Sequence, residues 1–258
     1  MTTAYAGIDV AVAKKKRLPI AVCTWQNDRL EPLALNAKAL PKPPHGPGNA
    51  AICDPARCRE LAAQTASYLR AVESALGIAI QVIAIDAPSS PRAPGQALRA
   101  AERALAARGI SYIETPNADA FAAIPDRVQA HLAAGGLESR LPCANQIWML
   151  FGFELYRVLC AAGWACLEVY PQATVRALGA GDIHKSGGGA VLTQLQAAAK
   201  YTNWPQEQDV SALKSIGWGT LHDRLDAYLA AWVAALPRER REALGEEPDD
   251  AIWIPRVN

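Results

Sequence analysis

The most constraining stretch of this chain is Ile78-Ala79-Ile80-Gln81-Val82-Ile83-Ala84-Ile85, followed at once by Asp86-Ala87-Pro88. A continuous apolar run of this length, stopped by proline, fits a strand covered on both faces. The covers are close by. Residues 55–76 place Leu61, Ala62, Tyr68, Leu69, Val72 and Leu76 at roughly helical spacing before Gly77, and residues 96–108 read as another helix closed by Gly109. The strand leaves Asp86 at its C-terminal end, where ligands of open α/β sheets gather.

The same pattern opens the chain. Residues 4–12 form a short apolar strand with one carboxylate, Asp9, inside it. A charge there is costly to bury unless something pairs with it, so Asp9 either caps a turn or binds something positive. Residues 18–25 and 29–35 read as two further strands with polar turns between them, an antiparallel meander. The basic run Lys14-Lys15-Lys16-Arg17 is then a solvated turn, or else a phosphate clamp beside Asp9. Residues 41–48 form a Pro/Gly loop.

Beyond Asp86, residues 110–113 suggest a short strand, and a helix is expected near residues 126–134, closed by Gly135-Gly136. Residues 145–162 read as a helix, 164–170 as a strand carrying Glu168, 172–178 as a short helix and 191–202 as another. Residues 179–189 form a glycine-rich loop holding His184-Lys185-Ser186, either a plain connection or a substrate loop with Lys185 at its tip. It lacks the order of a phosphate-binding P-loop. The helix at 221–236 is the most regular. Leu221, Leu225, Tyr228, Leu229, Trp232, Val233 and Leu236 make one stripe, with His222 and Asp226 on or beside it. Asp223 fits a first-turn acid facing the helix dipole; Asp226 fits that explanation less well. His222 suits a core or capping role, and His45 and His131 a surface one. Trp204 and Trp218, in less regular sequence, could stack bases. Residues 251–255 suggest a final edge strand.

Composition excludes several classes. No apolar run reaches the 18 residues of a membrane span, and no basic segment precedes a long apolar core at the N-terminus. The six cysteines (Cys23, Cys53, Cys58, Cys143, Cys160, Cys166) contain no CxxC. They read as free thiols of a reducing cytoplasm rather than as zinc ligands. The net charge of +1 argues neither for nor against nucleic acid; the strongly basic balance that would hint at DNA binding is absent.

Three hairpin strands, then strands reached through helices, make the ribonuclease-H-like order of elements, with strands one and four adjacent and the last helix beside them. Asp9, Asp86, Glu168, Asp223 and Asp226 would then converge, and carboxylates so close repel unless cations lie between them. Oxygen ligands suit Mg²⁺ or Mn²⁺. Two such ions about 4 Å apart activate a water and stabilise the leaving oxygen of a phosphodiester.

The motifs Gly7-Ile8-Asp9, Ala84-Ile85-Asp86-Ala87-Pro88, Arg99-x-x-Glu102-Arg103-Ala104-Leu105, Glu168-Val169-Tyr170-Pro171, Lys185-Ser186 and Asp223-Arg224-Leu225-Asp226-Ala227 together resemble the domain-of-unknown-function family 429, described as predicted ribonuclease-H-like nucleases. The Asp-x-x-Asp-Ala ending is also similar to the last helix of Holliday-junction resolvases. The resemblance implies an α/β fold with a mixed five-stranded sheet flanked by helices. It also implies a single ribonuclease-H-like domain over 1–258 with a helical insertion around 115–163. It further implies metal ligation by Asp9, Asp86, Asp223 and Asp226, with Glu168 as a further ligand or a supporting residue. On this reading Asp9, Asp86, Asp226 and Lys185 are catalytic, Lys185 contacting a phosphate, and the partner is DNA or RNA. The basic run after Asp9 departs from the family's pattern of glycine and tryptophan there. Two other classes remain open: a non-catalytic binding module on the same fold, and an ATP-dependent phosphotransferase of the actin-like fold. The latter needs a glycine-rich phosphate loop where the basic run stands.

Overall fold

The structure, a computed structural model, describes residues 1–27, 29–180, 189–205 and 209–257. In chain order, the first elements are β1 (Thr2–Asp9), β2 (Ile20–Gln26), β3 (Arg29–Pro32), α1 (Asn49–Ile52), α2 (Pro55–Leu76) and β4 (Ile78–Asp86). The middle of the chain forms α3 (Ala100–Ala107), α4 (Ala118–Ala133), α5 (Ile147–Ala161), β5 (Ala165–Glu168) and α6 (Pro171–Ala177). The last elements are α7 (Ala190–Thr202), α8 (Leu213–Ile216), α9 (Leu221–Ala235), β6 (Arg241–Glu246) and β7 (Asp250–Pro255).

Five strands form one mixed sheet in the order β3-β2-β1-β4-β5. β1, β2 and β3 pair antiparallel, as the polar turns between them predict, whereas β4 joins β1 and β5 joins β4 in parallel. Side chains alternate between the two faces. One face, with Ala6, Ile8, Ile20, Val22, Ile83 and Ile85, packs on α2 and α5 through Leu61, Leu69, Leu155 and Leu159. On the other face Ala21, Cys23 and Ala84 pack on α9 through Leu225, Tyr228, Ala230 and Val233. The fold is therefore α/β, a mixed sheet flanked by helices, and the apolar run at 78–85 is its doubly covered strand.

α9 is more deeply buried than a single stripe implies. Residues 225–235 are buried all round, because α6, α7 and β7 cover the side turned away from the sheet. A helix buried on all sides is apolar on nearly all of them: apart from Asp226, alanines fill what the stripe leaves.

Several boundaries differ from expectation. α4 begins at Ala118 rather than near 126 and runs through Pro125; the Asn117 side chain accepts from the Ala120 N–H at 2.9 Å and caps it. Pro125, a residue that ordinarily stops or kinks a helix, lies inside it, two turns after the start. α3 starts at Ala100, not 96, and residues 110–113 form no strand. The last strand is not an edge of the main sheet. β6 and β7 form a separate two-stranded sheet, which touches the main one through a parallel bridge between Val169 and Trp253. β6 hides in the sequence because its run, Arg-Glu-Ala-Leu-Gly-Glu, buries only Leu244. All six cysteines are free. Among the described residues no helix is long and apolar enough to cross a membrane.

Candidate functional site

Asp9 ends β1, Asp86 ends β4, and the two are direct register partners across the parallel pair, so their Cα atoms are about 4.8 Å apart. Alternation assigns both to the α9 face: Ile8, Ile85 and Ala87 belong to the opposite core, while Tyr5, Val82 and Ala84 pack towards α9.

The approach of α9 is set by Gly7. A Cβ built there would lie 2.0 Å from the Ala227 carbonyl oxygen and 2.3 Å from the Ala231 nitrogen. Only glycine lets the helix backbone lie directly on β1. Trp25 Nε1, at the far end of β2, donates to the Ala235 carbonyl at 3.3 Å, and Gly219, just ahead of the helix, lies against Pro19. Pro19 in turn accepts from the Asp9 N–H at 3.2 Å. α9 therefore runs antiparallel to β1, with its N-terminal turns at the end carrying Asp9 and Asp86. Asp226 lies one turn before Ala230, on the stripe that packs against Ala84, and is 3% exposed. Asp9, Asp86 and Asp226 thus share one end and one face of the sheet.

The other two acids are engaged elsewhere. Asp223 closes a capping box: its Oδ2 accepts from the Thr220 N–H at 2.7 Å, and its own N–H donates to Thr220 Oγ1 at 3.3 Å. Glu168 is the register partner of Ile85, so it projects from the face opposite to Asp86. Arg99 Nη1 and Nη2 donate to its two oxygens at 2.8 and 2.7 Å, and the Ser89 N–H donates to Oε2 at 3.1 Å. Burial pushes the Glu168 carboxyl up, against the pull of this guanidinium and the Ser89 N–H. Burial also opposes the charge of Arg99, but Glu168, Asp250 and Glu102 outweigh it and hold Arg99 above its ordinary value.

The Arg99 site extends further. Its Nε donates to Asp250 at 3.0 Å, and Asp250 also accepts from the Ala100 N–H at 2.6 Å. Glu102 accepts from the N–H groups of Arg99 and Thr115 at 3.1 and 2.6 Å. One buried cation thus ties α3, β5 and β7 together below a small apolar cleft of about 80 Å³ lined by Asp86, Tyr112, Trp148 and Tyr170. The spacing Arg99-x-x-Glu102 was visible in the sequence; its partners Glu168 and Asp250, 69 and 151 residues on, carried no local signal. Lys185 lies outside the described residues. Trp204 sits edge to face on Tyr228 with centroids 4.8 Å apart, part of the packing behind α9. Trp218 carries the Arg17 guanidinium 5.2 Å above its ring.

Hard oxygen donors on adjacent strand ends form a donor set suited to Mg²⁺ or Mn²⁺. Among the described residues, however, no three Asp, Glu, His or Cys side chains form a group that could hold a metal ion.

These features define a mixed-sheet α/β protein with two acids in register at the ends of neighbouring parallel strands and a third on the helix that covers them. The chain belongs to the family described as protein of unknown function (DUF429), whose model matches residues 7–250. No curated protein and no solved structure matches it.

Proposed function

We propose that this protein is a ribonuclease-H-like hydrolase that cleaves phosphodiester bonds of nucleic acid with the help of divalent cations. The carrying observation is the register partnership of Asp9 and Asp86 at the end where α9 presents Asp226. The strand order β3-β2-β1-β4-β5 supports the same reading. Asp9, Asp86 and Asp226 would hold Mg²⁺ or Mn²⁺. Asp223 and Glu168 are left out of that set by placement: Asp223 caps the first turn of α9, and Glu168 projects from the opposite face of the sheet towards Arg99. When bound, the cation supplies a lowered pKa for an attacking water and charge for the leaving oxygen. The chain's own part would be to present three carboxylates at one end of the sheet and, through Lys185, to contact a phosphate.

One observation favours a second reading, a binding module without turnover: the described acids do not form a metal-holding group. Mn²⁺ calorimetry on the wild type, Asp9→Asn and Asp226→Asn, with cleavage of a labelled oligonucleotide, separates the two. The hydrolase reading expects Mn²⁺ binding that both variants weaken at least tenfold, and cleavage that they abolish. Folded wild-type protein that neither binds millimolar Mn²⁺ nor cleaves with DNA or RNA present would leave only the binding module.

A further inference from the structure

A net charge of +1 conceals an uneven distribution. Six of the eight lysines (Lys14, Lys15, Lys16, Lys38, Lys42 and Lys214) fall in three short segments, and the fold brings those segments together. The Lys15 N–H donates to Gly46 O at 3.2 Å, the Gly46 N–H to Lys16 O at 2.7 Å, and the Leu18 N–H to Pro44 O at 3.0 Å. Gly46 permits this approach, since a Cβ there would lie 2.5 Å from the Val12 carbonyl. The Asn36 N–H donates to Ser215 O at 3.0 Å, which brings the segment holding Lys38 to the one holding Lys214. Trp218 joins the rest: the Arg17 guanidinium lies 5.2 Å from its ring centre and Lys42 Nζ 6.0 Å. Lys14 is paired with Glu138 at 3.3 Å. Among the described residues no carboxylate lies within 4 Å of the Lys15, Lys16, Lys38, Lys42 or Lys214 ammonium, although Lys214 is near enough to help lower the Asp209 carboxyl, and all five lysines are exposed.

The position of this cluster bears on what it can bind. Lys14–Arg17 follow Asp9 by five residues, and Trp218 precedes the cap of α9 by two. The cations therefore flank the end of the sheet that carries Asp9, Asp86 and Asp226. Like charges crowded on a surface repel one another and favour a polyanion that releases its counterions on contact. None of the exposed large hydrophobic residues among those described (Met1, Leu76, Ile113, Leu132, Leu137, Tyr201) lies in the cluster, and its one large ring, Trp218, is half-buried under Arg17 and Lys42, a poor fit to insertion into a lipid bilayer. We propose that Lys15, Lys16, Lys38, Lys42 and Lys214 form a track for the phosphate backbone of a nucleic acid. The track runs beside the acids, with Arg17 and Trp218 as its rigid support. The inference deepens the hydrolase reading by naming the surface that would hold the polymer, yet it is testable apart from catalysis.

The test is fluorescence anisotropy with a labelled 20-base-pair DNA duplex in EDTA, repeated from 50 to 200 mM salt. The variants are Lys15→Gln/Lys16→Gln/Lys42→Gln and, as a control on a lysine outside the track, Lys200→Gln. All are exposed, and unaltered melting curves establish folding. The triple variant is expected to bind about tenfold or more weakly and to lower the log–log salt slope by about 2.7, at 0.9 per lost phosphate contact. The control is expected to match the wild type. Wild-type protein that does not bind the duplex at 50 mM salt, binding that the triple variant leaves unchanged, or binding to phosphatidylserine vesicles but not to the duplex would each overturn the track. EDTA separates the two proposals: binding without Mn²⁺-dependent cleavage refutes the hydrolase alone, and cleavage that survives in the triple variant refutes the track alone.

Discussion

Gly7→Ala tests whether the packing of α9 on β1 sets where Asp226 stands relative to Asp9 and Asp86. A glycine-to-alanine change in a strand ordinarily stabilises by about 0.4–1 kcal/mol, because it restricts the unfolded chain. Here the added methyl would stand 2.0 Å from Ala227 O, 2.3 Å from Ala231 N and 2.8 Å from Ala230 Cβ. The first two are helix backbone and cannot rotate away. To reach an ordinary contact of 3.4 Å the Ala227 oxygen must retreat by about 1.4 Å, taking Asp226 with it. Overpacking of this kind costs about 1–3 kcal/mol or more. We expect Gly7→Ala to be about 3 kcal/mol less stable in urea unfolding and to bind Mn²⁺ at least tenfold more weakly. Adding Ala230→Gly relieves only the weakest of the three contacts and is expected not to restore stability. A variant within about 0.5 kcal/mol of the wild type, or more stable, would refute the account of how α9 seats.

Two further predictions concern the remaining acids. Arg99→Leu leaves the buried Glu168 without its guanidinium and is expected to cost about 3–5 kcal/mol at neutral pH. The carboxyl's pKa, already raised in the fold, moves further up. Stability from a raised group is full below the unfolded value and lost as pH rises through the folded one. The deficit should therefore shrink on acidification towards 4.5, and Arg99→Leu/Glu168→Leu should recover much of it at pH 7. A pH-independent deficit in chemical unfolding would refute this. Asp223→Ala removes half of the capping box and is expected to cost about 1 kcal/mol while leaving Mn²⁺ affinity within twofold of the wild type; a tenfold loss in calorimetry would return Asp223 to the ligand set.

The sheet was legible because its signals are local. The run at 78–85 and its stop at Pro88 gave the central strand; the polar turns after Val12 and Trp25 gave the antiparallel start. Elements whose stability comes from elsewhere were not legible. β6 buries one side chain and exists because β7 pairs with it. The first turns of α4 depend on the Asn117 cap and come before a proline that the helix runs through. Glu168 shows the same limit at the level of the site. A strand with period two puts neighbours on opposite faces, so the one-residue register difference between Asp86 and Glu168 could be read only once the pairing of β4 with β5 was known. Gly7 stood in the Gly-Ile-Asp motif, but its role depends on a helix more than 200 residues away.

The acids divide according to what the fold itself requires. Asp223 holds the first turn of α9, and Glu168 neutralises Arg99 where α3, β5 and β7 meet. Each has a structural reason to be acidic. Asp226 has polar interactions of its own, as have Asp9 and Asp86, and it stands among Ala227, Ala230 and Ala231, small side chains that let α9 lie close on β1. A carboxylate 3% exposed is destabilising there unless a cation or hydrogen-bond donors meet it. Asp9 and Asp86, side by side in register, add like charge at the same end. On the proposed hydrolase reading a divalent cation would meet these three carboxylates, and the lysines flanking that end suit the polyanion such a cation would act upon.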